Sequence, residues 1–330
     1  MNTEFASSIE QIDLADWSRR VIYKANLTPE EKEFNACADA YWKEVGKTGH
    51  DHDHELSALL TRALTPDVVE APGEVLGRMM EEGTVGEFDD KRIEKLPSNT
   101  MKAVDAVEGG NVDASYIDHS LVTPTWKNLQ IETYLPFKEL RRGGYKNVAT
   151  LVNFSREAFE QKKVSLVMNA LAAAITDGSA NYINEATTAP TDTSMLALAL
   201  YLADVGDGSA PFAFGLNKYI QAISNLTKAD TNKTDIEKSM WFNMGFLTRY
   251  SGVDLIGFSG QKTLADGSYI VPNNTLLGVA GRVGTLDMKG ELQIMQEEDI
   301  NKEHIHLKMA GYAFGYAITD ITKAAKMVIA

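Results

Sequence analysis

Residues 155–176 read SREAFEQKKVSLVMNALAAAIT and are followed by Asp177-Gly178. No Gly or Pro interrupts the run, and most of its residues are good helix formers. Ser155 suits an N-cap, and Asp177-Gly178 suits a stop. The spacing predicts one helix of roughly 30 Å. Phe159, Leu166, Ala170 and Ala173 fall on one face of it, and Arg156, Glu160 and Lys163 on another. A long helix between β-rich flanks makes this an α+β chain.

Upstream, residues 125–142 read as half-buried strands carrying Trp126, Leu129, Ile131, Tyr134, Leu135 and Phe137. Before them, residues 83–120 lose any sustained apolar face. Gly83, Gly86, Pro97, Gly109 and Gly110 punctuate this stretch. A strand near Arg92 to Leu96, with a return partner in Asp113 to Val122, makes a long polar hairpin. Such a hairpin is marginal alone and must pack on something else. The first third reads as helical. Thr28-Pro29-Glu30-Glu31 is a helix start with a capping box, and Phe34, Ala38, Tyr41, Trp42 and Val45 follow at helical spacing. A second helix is expected over Leu56 to Leu64.

Downstream, short helices are expected at 194–203 and 215–226, and one from Thr234 towards Tyr250. Val253 to Phe258 (VDLIGF) reads as a buried strand, and Asp266-Gly267-Ser268 as a turn. Tyr269 to Val271 and Thr275 to Ala280 are further expected strands. Thr285 to Met288 and Glu291 to Met295 are expected to form a hairpin about Lys289-Gly290. His304 to Tyr316 is expected to be one long strand.

The 330 residues are 44% hydrophobic and 24% charged, as in ordinary globular domains, so the chain can bury a sizeable core. Its length favours two subdomains. The start, MNTEFASSIE, has no signal-peptide pattern. The longest apolar run, Met195 to Ala203, falls far short of a membrane span. A single cysteine, Cys37, excludes an intrachain disulfide and fits a reducing compartment. The net charge of −14 is uneven: residues 1–110 carry 12 Lys+Arg against 23 Asp+Glu, a net of −11. An acidic chain is a poor tracker of DNA phosphates.

No catalytic constellation emerges. His50-Asp51-His52-Asp53-His54-Glu55 offers zinc-type ligands, but alternating His residues on an extended segment diverge, and a polar loop explains the run as well. Gly278, Gly281 and Gly284 lack the Lys-Ser/Thr of a phosphate loop and read better as a hairpin or bulge. Cys37 sits at a core-like helix position. His119, His304 and His306 have no triad partners in the sequence pattern. Trp126, Trp241, Phe212 and Phe214 suit association hot spots or, more in keeping with burial statistics, core. The sequence accordingly assigns no catalytic, cofactor-binding or metal-binding residue.

Several stretches resemble a known family. Val107-Glu108-Gly109-Gly110, leading on to Lys127-Asn128-Leu129-Gln130-Ile131-Glu132, looks like the hairpin's return. Phe154 to Glu160 looks like the start of a spine helix, Ser268 to Gly278 like a segment crossing an axial domain, and Tyr312 to Ile329 like a closing strand and tail. In order and texture the chain resembles the major capsid proteins of tailed phages, the Hong Kong 97 fold.

The resemblance implies an N-terminal arm at 1–79, an extended hairpin loop at 80–122, and a peripheral domain at 123–189 with its spine helix at about 155–176. An axial domain at 190–285 and closing strands at 286–330 complete the order. It implies pentamers and hexamers of this chain that close an icosahedral shell around double-stranded DNA without sequence-specific binding. With the chain starting at Met1, a separate scaffolding protein is expected rather than a cleaved segment, together with a portal and a decoration protein. The implied place is the virion, after synthesis in the host cytoplasm, with no membrane. A cross-link from Lys91, Lys95 or Lys102 to Asn301 has no local support. An encapsulin-like nanocompartment shell is the alternative within the fold, and a metal-dependent enzyme using His50, His52 and His54 is the alternative outside it.

Overall fold

The computed structural model describes residues 12–48, 59–61, 64, 74–87, 89, 91–94, 120–206, 208–229, 249–261, 264–299 and 304–330. The chain divides into two compact units. The first comprises Met1–Gly77, Trp126–Val164 and Met288–Phe314; the second comprises Arg78–Thr125, Ser165–Asp287 and Gly315–Ala330.

In the first unit, helices α1 (Leu14–Ile22) and α2 (Pro29–Thr48) pack through Trp17, which has no exposed surface. Its indole Nε1 donates to Asn35 Oδ1 at 2.8 Å, and its ring meets Phe34 edge-on at 5.0 Å. A buried indole is stable when its one donor is satisfied in this way. The expected capping box opens α2: the Thr28 N–H donates to Glu31 Oε2 at 2.7 Å, and the Glu31 N–H donates to Thr28 Oγ1 at 3.2 Å. Phe34 and Ala38 are buried as the spacing requires.

Helices α3 (Glu74–Met79), α4 (Phe137–Gly143) and α5 (Tyr145–Ala174) follow along the chain. Residues 145–164 of α5 fall in the first unit and 165–174 in the second. The long helix therefore starts ten residues before Ser155. Gly144 supplies the break, at φ +49°, and its missing Cβ leaves room for the Asp39 carboxylate. That carboxylate accepts the Tyr145 N–H at 3.4 Å, a negative charge at a helix start. Ser155 lies inside the helix and is buried. At 30 residues, α5 is a rod of about 45 Å. Its buried stripe runs through Val148, Val152, Phe159, Val167 and Leu171. Ala173 is exposed and Lys163 is buried, both contrary to the expected faces.

Strands β1 (Met80–Val85), β2 (Ile93–Glu94), β3 (Leu121–Val122), β4 (Thr125–Asn128) and β5 (Ile131–Pro136) precede α4. Phe137, expected on a strand, opens that helix instead. The first unit's sheet joins β5 to β12 (Gln293–Asp299) and β13 (His304–Ala310), in the order β12-β13-β5. Ile305, Leu307 and Met309 alternate into its core.

The second unit is built on a six-stranded sheet of β6 (Tyr182–Glu185), β7 (Phe212–Leu216), β8 (Arg249–Tyr250), β9 (Val253–Phe258), β10 (Thr275–Val279) and β15 (Ala324–Ile329). The order is β6-β15-β10-β7-β9-β8, with parallel pairs at β6/β15 and β7/β9. Helices α6 (Asp192–Val205) and α7 (Asn217–Ala229) bring Met195, Leu198, Leu202, Ile220 and Ile223 into the core shared with Leu276 and Met327. Lys326 donates to the Ala172 carbonyl at 2.7 Å and the Ile175 carbonyl at 3.4 Å, so a cation closes the C-terminal end of α5.

Strands β11 (Gly284–Lys289) and β14 (Ala313–Ile318) correct two expectations. The segments 284–289 and 293–299 do not pair as a hairpin, because β12 pairs with β13 and β11 lies between β1 and β14. The stretch 304–316 is two strands rather than one, broken at Gly311, whose φ of +102° no side-chain-bearing residue adopts readily. Tyr269–Val271 forms no strand. Most of the expected helices at Leu56–Leu64 and Thr234–Tyr250 lies outside the described residues; 59–61 and 64 are helical and Arg249–Tyr250 is strand.

Candidate functional site

Three surfaces stand out among the described residues, and none is a catalytic cleft. The first is the root of the acidic hairpin in the second unit. β2 and β3 pair antiparallel, with Ile93 opposite Val122 and Glu94 opposite Leu121, as the polar hairpin expectation required. Leu121 is 61% exposed. Below it, Lys91 Nζ lies 2.5 Å from Asp287 Oδ1, whose side chain has no exposed surface. Thr285 Oγ1 and Asp287 Oδ2 are buried without a partner in the structure. Glu81, Glu82 and Glu87 are exposed, with Glu81 paired to Arg282 at 4.0 Å across the surface.

The second surface is the outward face of α6. Leu196 is 44% exposed and Leu200 58% exposed, one helical turn apart, with Ala197 and Ala203 beside them. The same helix is anchored by its capping box, Thr191 with Ser194. Glu185 accepts from Thr187 Oγ1 at 2.8 Å and Thr191 Oγ1 at 2.6 Å. The hydroxyls of Ser194, Thr191 and Thr187 hold the Glu185 carboxyl down to about 2, against the opposing pull of burial.

The third surface, in the first unit, is basic. Lys138 and Arg142 on α4 and Lys146 on α5 are all exposed. The run KELRRGGYK supplies them; the sequence reading passed over it by taking residues 125–142 as strands.

His50, His52, His54, His119, Lys95, Lys102, Asn301 and Trp241 lie outside the described residues. Among the described residues, no three His, Cys, Asp or Glu gather as a metal site. His304 and His306 pack on Tyr134, the first edge-on at 4.8 Å and the second stacked at 4.7 Å. Phe212 and Phe214 are core, while Trp126 is half-buried with Lys289 over its ring at 5.6 Å. Cys37 is only half-buried. Gly278 lets α6 approach β10, since a Cβ there would meet Leu202 at 2.7 Å; this is packing and not phosphate binding. No described helix is long and apolar enough to cross a membrane.

Among the described residues, the side chains of these three surfaces lie in separate exposed patches. Residues 19–318 match the family described as "SPbeta prophage-derived putative capsid protein YonB". No curated protein matches the chain in sequence. The capsid structure of cyanophage P-SCSP1u is similar at TM-score 0.52 and 11% identity, covering 78% of this chain and 88% of that one. The capsid of an empty GTA particle gives 0.54 and 12%, covering 77% and 89%. Mycobacterium phage Bobi gives 0.50 and 12%, covering 78% and 90%. Such identities speak to fold, and the fold is the α+β Hong Kong 97 type; the match over residues 19–318 speaks to kinship. The chain belongs to the YonB family of prophage-derived capsid proteins.

Proposed function

We propose that this chain is the major subunit of a virion shell, gathered as pentamers and hexamers that close an icosahedron around double-stranded DNA. The observation that carries the reading is the hairpin root. There two strands of two residues each pair and Leu121 is 61% exposed, a pairing too small to bury an apolar face alone. Its natural cover is a neighbouring copy, in a protein whose family is one of capsid proteins.

In this reading residues 1–79 are the arm and 80–122 the extended loop. Residues 123–189 with 286–330 supply the peripheral domain and 190–285 the axial domain, whose sheet also takes in β6 and β15. The net charge of −14 keeps an inner wall from gripping the genome. The role is structural and uses no catalytic group. A separate scaffolding protein, a portal and a decoration protein are the expected partners, with synthesis in the host cytoplasm and residence in the virion.

The test is electron microscopy and nucleic-acid assay of particles from the full chain expressed with the flanking phage structural genes. Closed icosahedral shells that protect double-stranded DNA are expected. A chain that stays monomeric under every condition overturns the reading. Shells filled with a protein cargo and no nucleic acid replace it with a nanocompartment.

A further inference from the structure

We propose that the basic corner of Lys138, Arg142 and Lys146 receives the acidic segment 81–94 of a second copy of this chain. The inference rests on the shell reading above and adds the receiving surface to it.

The corner is unusual for this molecule. Residues 138–146 carry Lys138, Arg141, Arg142 and Lys146 against Glu139, a net of +3, in a chain of net −14. Lys138 and Arg142 stand one turn apart on α4, so they share a face. Lys146 follows at the second position of α5, with its ammonium 5.9 Å from the Tyr145 ring. All three are exposed. Like charges on one exposed run repel, and an acidic partner relieves that cost.

The segment 81–94 is the complement. It carries Glu81, Glu82, Glu87, Asp89, Asp90 and Glu94 against Lys91 and Arg92, a net of −4. Lys91 is already compensated inside its own chain by Asp287. Glu81 makes a surface pair with Arg282 at 4.0 Å, of a kind that exchanges easily in water. β1, which bears Glu81 and Glu82, is an outermost strand of its sheet among the described residues. DNA phosphate is the other anion a basic corner could meet. A few cations on a strongly acidic chain make a weak phosphate surface, so the protein partner is favoured.

The test is charge exchange in the full chain, expressed with the flanking phage structural genes. E82K/E87K reverses the segment, K138E/R142E reverses the corner, and a third variant carries all four changes. Shells are counted by sedimentation and electron microscopy across a salt series. Each one-sided variant is expected to form about tenfold fewer shells at low salt. The four-fold variant is expected to recover most of that loss. K138Q/R142Q, a milder change, is expected to fall between wild type and K138E/R142E, and an unchanged thermal transition separates lost docking from lost folding.

One-sided variants that assemble like wild type overturn the proposal, as does a combined variant that fails to recover while folding normally. Normal shells of K138E/R142E that hold less DNA also overturn it, in favour of a phosphate contact. Absence of shells from the wild type itself overturns the shell reading and not this pairing alone.

Discussion

Lys91 places its ammonium 2.5 Å from Oδ1 of Asp287, a carboxylate with no exposed surface, 196 residues along the chain. Gly83, on the neighbouring strand β1, lacks the Cβ that would collide with that same oxygen. The hairpin is thus tied to its own unit by an ion pair set into a gap that only glycine leaves open.

Removing the cation strands the buried charge. Lys91→Met is expected to destabilise the second unit by about 2–3 kcal/mol, below the full cost of breaking a wholly buried pair because Lys91 is itself partly exposed. Lys91→Met with Asp287→Asn should recover a good part of this. Denaturant midpoints of the two variants check it, and equal midpoints would mean that Asp287 is stabilised by something other than Lys91.

The Glu185 carboxyl makes stability depend on acid. Its pKa lies at about 2 in the folded protein, lowered from 4.5. A depressed carboxyl stabilises the fold fully above its unfolded value and loses that contribution as pH falls towards the folded value. Wild type should therefore lose stability between about pH 4.5 and 2. Glu185→Gln should be less stable at pH 7 and show a flatter profile over that window. Thermal transitions from pH 7 down to 2.5 measure both.

The capping box at α2 is a local device with a local effect. Thr28→Ala removes the acceptor for the Glu31 N–H and is expected to cost about 1 kcal/mol. Glu31 also faces Arg20 at 3.5 Å, so Glu31→Ala should cost more, since it loosens α1 as well. Hydrogen exchange at residues 30–33 distinguishes the two: Thr28→Ala should speed exchange there and leave α1 protected.

Tyr312 is 1% exposed, and its hydroxyl has no partner in the structure. Burial pushes its ionisation far above the usual tyrosine range. Its ring packs on Phe159 at 5.5 Å. Tyr312→Phe keeps the ring and removes the orphan oxygen, so it is expected to be neutral or stabilising by up to about 1 kcal/mol. A clear loss of midpoint would reveal a bridging water.

What was legible in the sequence depended on how near each residue's partner lay. The Thr28–Glu31 box, the strand at Val253–Phe258, and the turn at Asp266-Gly267-Ser268 all lie within a few residues of their own signals. The order of hairpin, long helix and mixed sheet also carried the family likeness, because that order is a property of the chain. The misjudged elements have partners far away. The start of α5 rests on Asp39, 106 residues upstream, which no inspection of Ser155 could find.

The segments 284–289 and 293–299 have hairpin-like patterns, yet each pairs elsewhere, since alternation states which face is apolar and not which strand comes alongside. Lys163 is buried although it is charged and follows Gln161 and Lys162, and Leu196 and Leu200 are exposed although they are apolar. The sequence by itself therefore determined the class of fold and the local helix and turn signals. Only the tertiary structure decided which strands are neighbours, where the long helix begins, and which charged and apolar side chains face outward. Those depend on contacts between residues that only folding brings together.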